Sequence, residues 1–401
     1  PYPHKVYNFT IPLREIDKSK SLNESTLMLA FAAYGTATPA PWDTVAAGLN
    51  NTFAVLSDGT IWGCGWNGTG DLGDGNTANS DILVQEINQD TDWLDVARGG
   101  HTVALKSDGN LWAWGWNFHG QLGNNTDSNS STPVLVSNPS DMGTNTWTAV
   151  AAGYYHTVAL RSDGTIWAWG RNDYGQLGQP TSIFENWIPI QEATLADDWV
   201  AVAAGDYHTV ALKSDGSIWS WGRNHVGQLG NNSPTDSFTP VQEATESIWN
   251  QISAAINVTA ALRSDATIWA WGENGFNQLG DGTDINSSIP VQEATLSMDW
   301  AVVDTGGNHT VALREGGTLW SWGHGGSGQL GQGAFSHSAT PVQEATGSED
   351  WLEISAGGWH TAALKADGTF WTWGLNDVGQ IGDGTSNDRN TPTRIERDVD
   401  E

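Results

Sequence analysis

Histidine is the residue in this chain best suited to chemistry near neutral pH, as a general acid or base or as a metal ligand. His101, His156, His208, His309 and His360 each stand immediately before a Thr, in nearly the same short neighbourhood. A residue that recurs with its surroundings is explained by whatever recurs, so these five read as structural histidines with ring hydrogen bonds to backbone. Cys64 is the only cysteine, which excludes an internal disulfide and a thiolate metal cluster. It reads as a small buried hydrophobe. Asn88-x-Asp90-x-Asp92 has the oxygen spacing of a calcium loop, but Trp93 stands where that loop needs Gly. Residues 68–73 and 326–331 match G-x-G-x-x-G, yet neither opens a helix whose N-terminus could meet a pyrophosphate. There is no Walker loop, nucleophile elbow or H-E-x-x-H. The reading is no enzyme, no cofactor and no metal.

What positions these residues is a repeat. Trp42, Trp93, Trp147, Trp199, Trp249, Trp300 and Trp351 open seven units of roughly fifty residues. In the third unit four strands can be read, at 148–152, 156–161, 165–170 and 188–191, each bounded by Gly, Asn, Asp or Pro. Asp163-Gly164 between the second and third predicts a type I′ hairpin turn. Trp167 and Trp169 share one face of the third strand, and Ile166 and Ala168 the other. Both faces are apolar and both must be covered, which neighbouring blades of a propeller achieve. The expected fold is therefore all-β, a seven-bladed propeller of four-stranded antiparallel blades over 42–401, with an N-terminal arm at 1–41. The fifth unit departs from the pattern at Ala255, Val258 and Ala266, and the first at Asn51, Cys64 and Asp71.

These units resemble the regulator-of-chromosome-condensation repeat family, whose hallmark is Gly-x-x-His-Thr-x-Ala-Leu, Asp-Gly and Trp-Gly-x-Asn-x-x-Gly-Gln-Leu-Gly. The third unit carries it from Gly153 to Leu160, at Asp163-Gly164 and from Trp169 to Gly178. The resemblance covers 42–401, and a bacterial or archaeal secreted type is the expectation. It implies the propeller fold. For function it implies protein-binding regulation, such as nucleotide exchange on a small GTPase together with chromatin binding. A plant ultraviolet-B photoreceptor and a propeller that inhibits an enzyme, a β-lactamase, share the architecture. The photoreceptor's Gly-Trp-Arg-His-Thr is approached only by Gly358-Trp359-His360-Thr361, which lacks the Arg.

Charge limits the partners. With 46 acidic against 16 basic residues the formal charge is −30, which repels nucleic acid and anionic lipid. The longest apolar run, 27–34, is shorter than the ~20 residues a membrane span needs. The expected partner is another protein, including copies of this one. Pro1 in the place of Met suggests upstream processing, a cleaved secretory signal being one source.

Alternate loops of a meander lie at opposite ends of the propeller. One end collects Ser-Asp-Gly turns and Gln-Glu-Ala-Thr segments such as 242–245 and 343–346, and reads as acidic. The other collects Trp66, Trp116, Phe118, Tyr154, Tyr155, Tyr174, Tyr207, Phe276 and Trp359, a candidate recognition face. The arm holds Val6, Tyr7, Phe9, Ile11, Leu27, Met28, Leu29, Phe31 and Tyr34 among slightly basic sequence. Two placements are open for it, against its own propeller or against a neighbouring copy in a self-assembling filament. Sequons occur at Asn8, Asn23, Asn50, Asn67, Asn124, Asn129, Asn231, Asn257, Asn286 and Asn308. The leading expectation is a non-catalytic extracellular or cell-surface interaction scaffold and glycoprotein. A GTPase exchange factor or an enzyme inhibitor is the alternative.

Overall fold

A tight turn between the second and third strands, Ser-Asp-Gly in the first four blades, sets the register of each blade. In the computed structural model, which describes residues 41–396 apart from 140–142, 144, 181, 182 and 246, Gly164 N–H donates to Arg161 O at 3.0 Å. Asp163 Oδ1 accepts from both the backbone N–H and the hydroxyl of Thr165. Within this turn only Gly164 has a positive φ, 79°. The connection is a type I turn closed by one left-handed glycine, not the expected type I′ turn, in which both central residues would need positive φ.

Four consecutive strands form each sheet. In blade 3 they are Trp147–Ala152, His156–Arg161, Ile166–Arg171 and Glu185–Gln191, paired antiparallel in order. The fourth begins at Glu185 instead of Ile188, because a register shift between Ala168 and Gly170 lets the polar pair Glu185 and Asn186 continue the ladder. Seven such sheets, at 42–85, 93–135, 147–191, 199–242, 249–292, 300–343 and 351–395, make the all-β seven-bladed propeller. Among the described residues there is no helix, hence none long and apolar enough to cross a membrane.

Hydrophobic cores lie between blades. Trp147, Val150 and Trp169 of blade 3 pack on Val103, Leu105 and Leu111 of blade 2. Val45, Ala54 and Cys64 of blade 1 pack on Leu364, Phe370 and Ile381 of blade 7. Among the described residues no strand is exchanged between the first and last blades. Ring closure therefore uses the same kind of packing and the same histidine bond that join four of the other blade pairs.

The histidine column makes those junctions. His156 Nε2–H donates to Thr209 Oγ1 of the next blade at 3.0 Å. Thr209 Oγ1–H donates to Gln176 O at 2.8 Å, and that carbonyl also accepts Trp221 Nε1–H at 3.0 Å. The hydroxyl has one proton and gives it to the carbonyl, so the imidazole must carry a proton on Nε2. The same bond runs from His101 to Thr157, His208 to Thr259, His309 to Thr361 and, closing the ring, His360 to Thr52. Burial pushes His156, His208 and His309 down to about 3 and His360 to about 4. The histidines are structural, but their partner is a hydroxyl of the adjacent blade and not backbone. Cys64 stands where the other blades have the core Trp, and its Sγ lies 3.6 Å from Gln380 O. Burial pushes that thiol up to about 12.

Candidate functional site

Two loops from every blade meet at one end of the propeller, those after the first and third strands. The residue after the Trp-Gly of the third strand donates its N–H to the carbonyl just before the histidine position. Arg171 bonds Tyr155, Arg223 bonds Tyr207, His324 bonds Asn308 and Leu375 bonds Trp359, at 2.8–3.0 Å. Two variable columns are thereby held side by side, and whatever occupies them must touch.

In blades 2 to 4 the occupants are aromatic rings and arginines. The Arg171 guanidinium lies 4.9 Å from the Tyr155 ring centre and 5.6 Å from that of Tyr207. Arg223 lies 5.0 Å from Tyr174 and 5.4 Å from Tyr207. Tyr154 and Tyr155 are 4.5 Å apart, Tyr155 and Tyr207 4.7 Å, Tyr174 and Tyr207 5.3 Å. Trp116 joins at 5.5 Å from Tyr154 and 5.4 Å from Tyr155. Each cation–ring contact contributes about 0.5–1 kcal/mol at such part-exposed positions. The side chains are thus ordered before any partner arrives. Arg171 is paired with Asp173 at 2.6 Å. Among the described residues, no carboxylate lies within ion-pair distance of Arg223. Burial, with the neighbouring Tyr155, raises the Tyr207 hydroxyl above its ordinary range. Phe118, 68% exposed, stands beside His119 at the edge of this group, and Trp66 is 44% exposed.

Phe276 and Trp359 belong to a second group. Both meet His324, at 5.0 and 4.9 Å, and His337 lies 4.4 Å from His324. Among the described residues no ring contact joins the two groups. The nine aromatic candidates therefore share an end of the molecule but not one surface cluster. Arg171, Arg223, His119, His324 and His337 were not singled out from the sequence. For Arg171, Arg223 and His324 the signal was available: they occupy the one variable slot between Trp-Gly and the following conserved position of the repeat.

The opposite end is less acidic than its sequence reads. Glu86, Glu192, Glu243, Glu293 and Glu344 of the fourth-strand segments are all buried. Glu293 accepts from Thr295 N, Thr295 Oγ1, Ser297 N and Trp300 Nε1. These carboxylates cap the following loop instead of facing solvent. The sequons need correction too. Asn67 is fully buried and its Nδ2–H groups donate to Asn76 O and Ala78 O. Asn308 is buried as well, so neither can carry a glycan. Asn50, Asn129 and Asn286 are exposed, and Asn124, Asn231 and Asn257 are half-buried. Asn8, Asn23 and the arm residues from Val6 to Tyr34 lie outside the described residues.

Comparison with known proteins places this geometry. The chain is 33% identical over 356 residues to the probable E3 ubiquitin-protein ligase HERC4 of Homo sapiens, across 88% of this chain and 29% of that protein. It thus spans less than a third of that relative. It is 31% identical to the ultraviolet-B receptor UVR8 of Arabidopsis thaliana, across 62% of this chain and 57% of the receptor. Among solved structures, Prp20p of Saccharomyces cerevisiae, described with its binding to Gsp1p and histones, superposes with a TM-score of 0.76 at 23% identity, covering 90% and 88% of the two chains. These relatives are eukaryotic and lend nothing to a bacterial or archaeal secreted type. They also overturn the expected extracellular or cell-surface location, since ubiquitin ligases and a binder of Gsp1p and histones are intracellular proteins. The RCC1-like domain profile matches residues 82–401, and the chain belongs to that family.

Proposed function

We propose that the chain is a non-catalytic protein-binding regulator that engages its partner through the aromatic–arginine end of the propeller. The observation that carries this is the stack of Trp116, Tyr154, Tyr155, Tyr174 and Tyr207 with Arg171 and Arg223. Trp, Tyr and Arg are the residues that dominate binding energy at protein interfaces, above all where they are ordered beforehand. A formal charge of −30 favours a partner with a positive surface and speeds its approach at low salt. The description of Prp20p as a binder of Gsp1p and histones supports a partner of this class. A self-assembling scaffold linked through residues 1–41 draws no support from these relatives. Nucleotide exchange and inhibition are the two outputs such binding could have.

The test measures affinity for purified Gsp1p and for histones, with nucleotide release from Gsp1p followed in parallel. Wild type is compared with Tyr155→Ala/Tyr207→Ala. The expected result is binding that weakens with salt and falls by a factor of ~30 or more in the variant, as for a hot spot of about 2 kcal/mol. Accelerated nucleotide release would identify exchange, and binding without release an inhibitor. Undiminished binding by the variant, or no binding to either protein by wild type, sinks the reading.

A further inference from the structure

We propose that the junction between blades 1 and 2 is a binding pocket for a neutral sugar ring. It borders the same end of the propeller but needs no protein partner, so its success or failure is separate from that of the protein-binding reading.

This junction is built unlike the others. Asn51 replaces the histidine, Asp71 replaces the Gln, and Arg98 occupies the position held by Ala152, Ala204 and Ala356. Arg98 Nε–H donates to Asn51 Oδ1 and Nη1–H to Thr102 Oγ1, each at 2.7 Å. Its Nη2 lies 3.5 Å from Asp71 Oδ1, and the two side chains are 3% and 2% exposed. Thr102 still donates to Asp71 O at 2.8 Å. The fold does not require the charges. The same chain makes five junctions with a neutral histidine, whereas burying an ion pair costs desolvation that its attraction seldom exceeds.

A second departure coincides with the first. The loop after the first strand of blade 2 has only Gly99 and Gly100, where blade 3 has Gly153, Tyr154 and Tyr155. The shortened loop leaves a cavity of about 230 Å³ walled by Trp66, Trp116 and Tyr154, with Asn51, Asp71 and Arg98 also lining it.

Size and charge narrow the ligand. The cavity is smaller than the ~300–1,000 Å³ of sites for drug-sized molecules, so it takes one ring. Arg98 is offset by Asp71, so the polar lining has no net charge and selects neither ion. The molecule's charge of −30 opposes phosphates and carboxylates. Thr69 occupies Asp71 Oδ2, and Trp66 O takes one Asn51 Nδ2–H. A lone pair of Asp71 Oδ1, the other amide N–H and the unused guanidinium N–H groups remain, side by side, to meet adjacent hydroxyls, each of which donates and accepts. The aromatic walls suit a C–H face. A pyranose presents both at once.

The experiment titrates the chain with the methyl glycosides of glucose, galactose, mannose and N-acetylglucosamine, read by tryptophan fluorescence and saturation-transfer NMR. Asn51→His/Asp71→Gln/Arg98→Ala converts the junction to the repeat's own pattern, for which Gly48 and Thr102 are already in place. At least one glycoside is expected to bind wild type saturably in the millimolar range usual for so small a ligand. Affinity should fall at least tenfold in the triple variant and in Trp66→Ala, with the folded state retained. If the triple variant fails to fold, the exposed Trp66→Ala decides alone. No binding by wild type, or equal binding by a folded variant, overturns the proposal.

Discussion

A methyl group and an imidazole compete for the same space in blades 3, 4, 6 and 7. A Cβ added at Gly153, Gly306 or Gly357 would fall 2.5–2.6 Å from the ring of its own blade's histidine. Blade 5 has Val258 in place of the ring and Ala255 in place of the glycine, so its two departures are one steric event. Each change is visible in the sequence, but their coupling is not, because only the packed loop brings position 255 over position 258. Thr310, the hydroxyl that a histidine at 258 would reach, already donates to Gln278 O and has a lone pair free to accept. Val258→His alone should therefore destabilise by about 1–3 kcal/mol through overpacking against the Ala255 methyl. Adding Ala255→Gly should recover most of that loss. Urea midpoints of the two variants check it; equal midpoints would mean that the methyl and the ring do not share space.

At the level of elements, the strands were legible because Trp, Val, Ile and Thr alternate between Asp-Gly and Asn-rich breaks. Their polar ends were not: Glu185 pairs only because the register shifts at Gly170. Nor was the burial of the fourth-strand carboxylates, since a Glu beside a polar loop looks the same in sequence whether it faces water or turns inward. The aromatic end was legible as a set of rings, while Arg171 and Arg223 were passed over because a lone Arg in a loop usually means solvation. Their stacking follows from the backbone bonds that hold two loops together. Glu293 shows what an inward turn is worth. Removing it orphans two backbone donors and the Trp300 indole N–H, each costing about 1–3 kcal/mol if left unpaired. Glu293→Ala should cost at least about 2 kcal/mol, and Glu293→Gln less, because the amide oxygen still accepts. Blade 2 has Val136 at this position and answers the Trp147 indole with Asn138 Oδ1 at 3.2 Å. Thermal melts of the two variants give the comparison, and a neutral Glu293→Ala would return the glutamate column to the surface.

Across the whole molecule, the junction histidines make the ring a single acid-sensitive unit. His156, His208 and His309 are held at about 3 and His360 at about 4 by burial, and His101 is held well below its ordinary value for the same reason. Unfolded histidines titrate near ~6.5. Between that value and about 4 the unfolded chain binds protons that the folded chain refuses, so stability falls as pH falls, by up to about 1.4 kcal/mol per pH unit for each histidine. Two groups work the other way. Burial raises Asp206 to about 7 and Asp304 to about 6, so each favours the folded state at low pH and loses that contribution as pH rises through its folded value. Five against two leaves acid destabilisation dominant, these seven groups giving a net slope of up to about 4 kcal/mol per pH unit between pH 6.5 and 4. His225 and His324, also lowered by burial, add to it. The urea midpoint should therefore drop steadily from pH 7 to pH 5. His309→Val places at that junction the residue blade 5 already uses, and should flatten the slope by about one histidine's share while lowering stability at pH 7. A midpoint that rises on acidification, or a slope unchanged by His309→Val, would mean that the junction imidazoles are charged in the folded ring, which their hydroxyl partners, each already donating to a carbonyl, could tolerate only at one nitrogen.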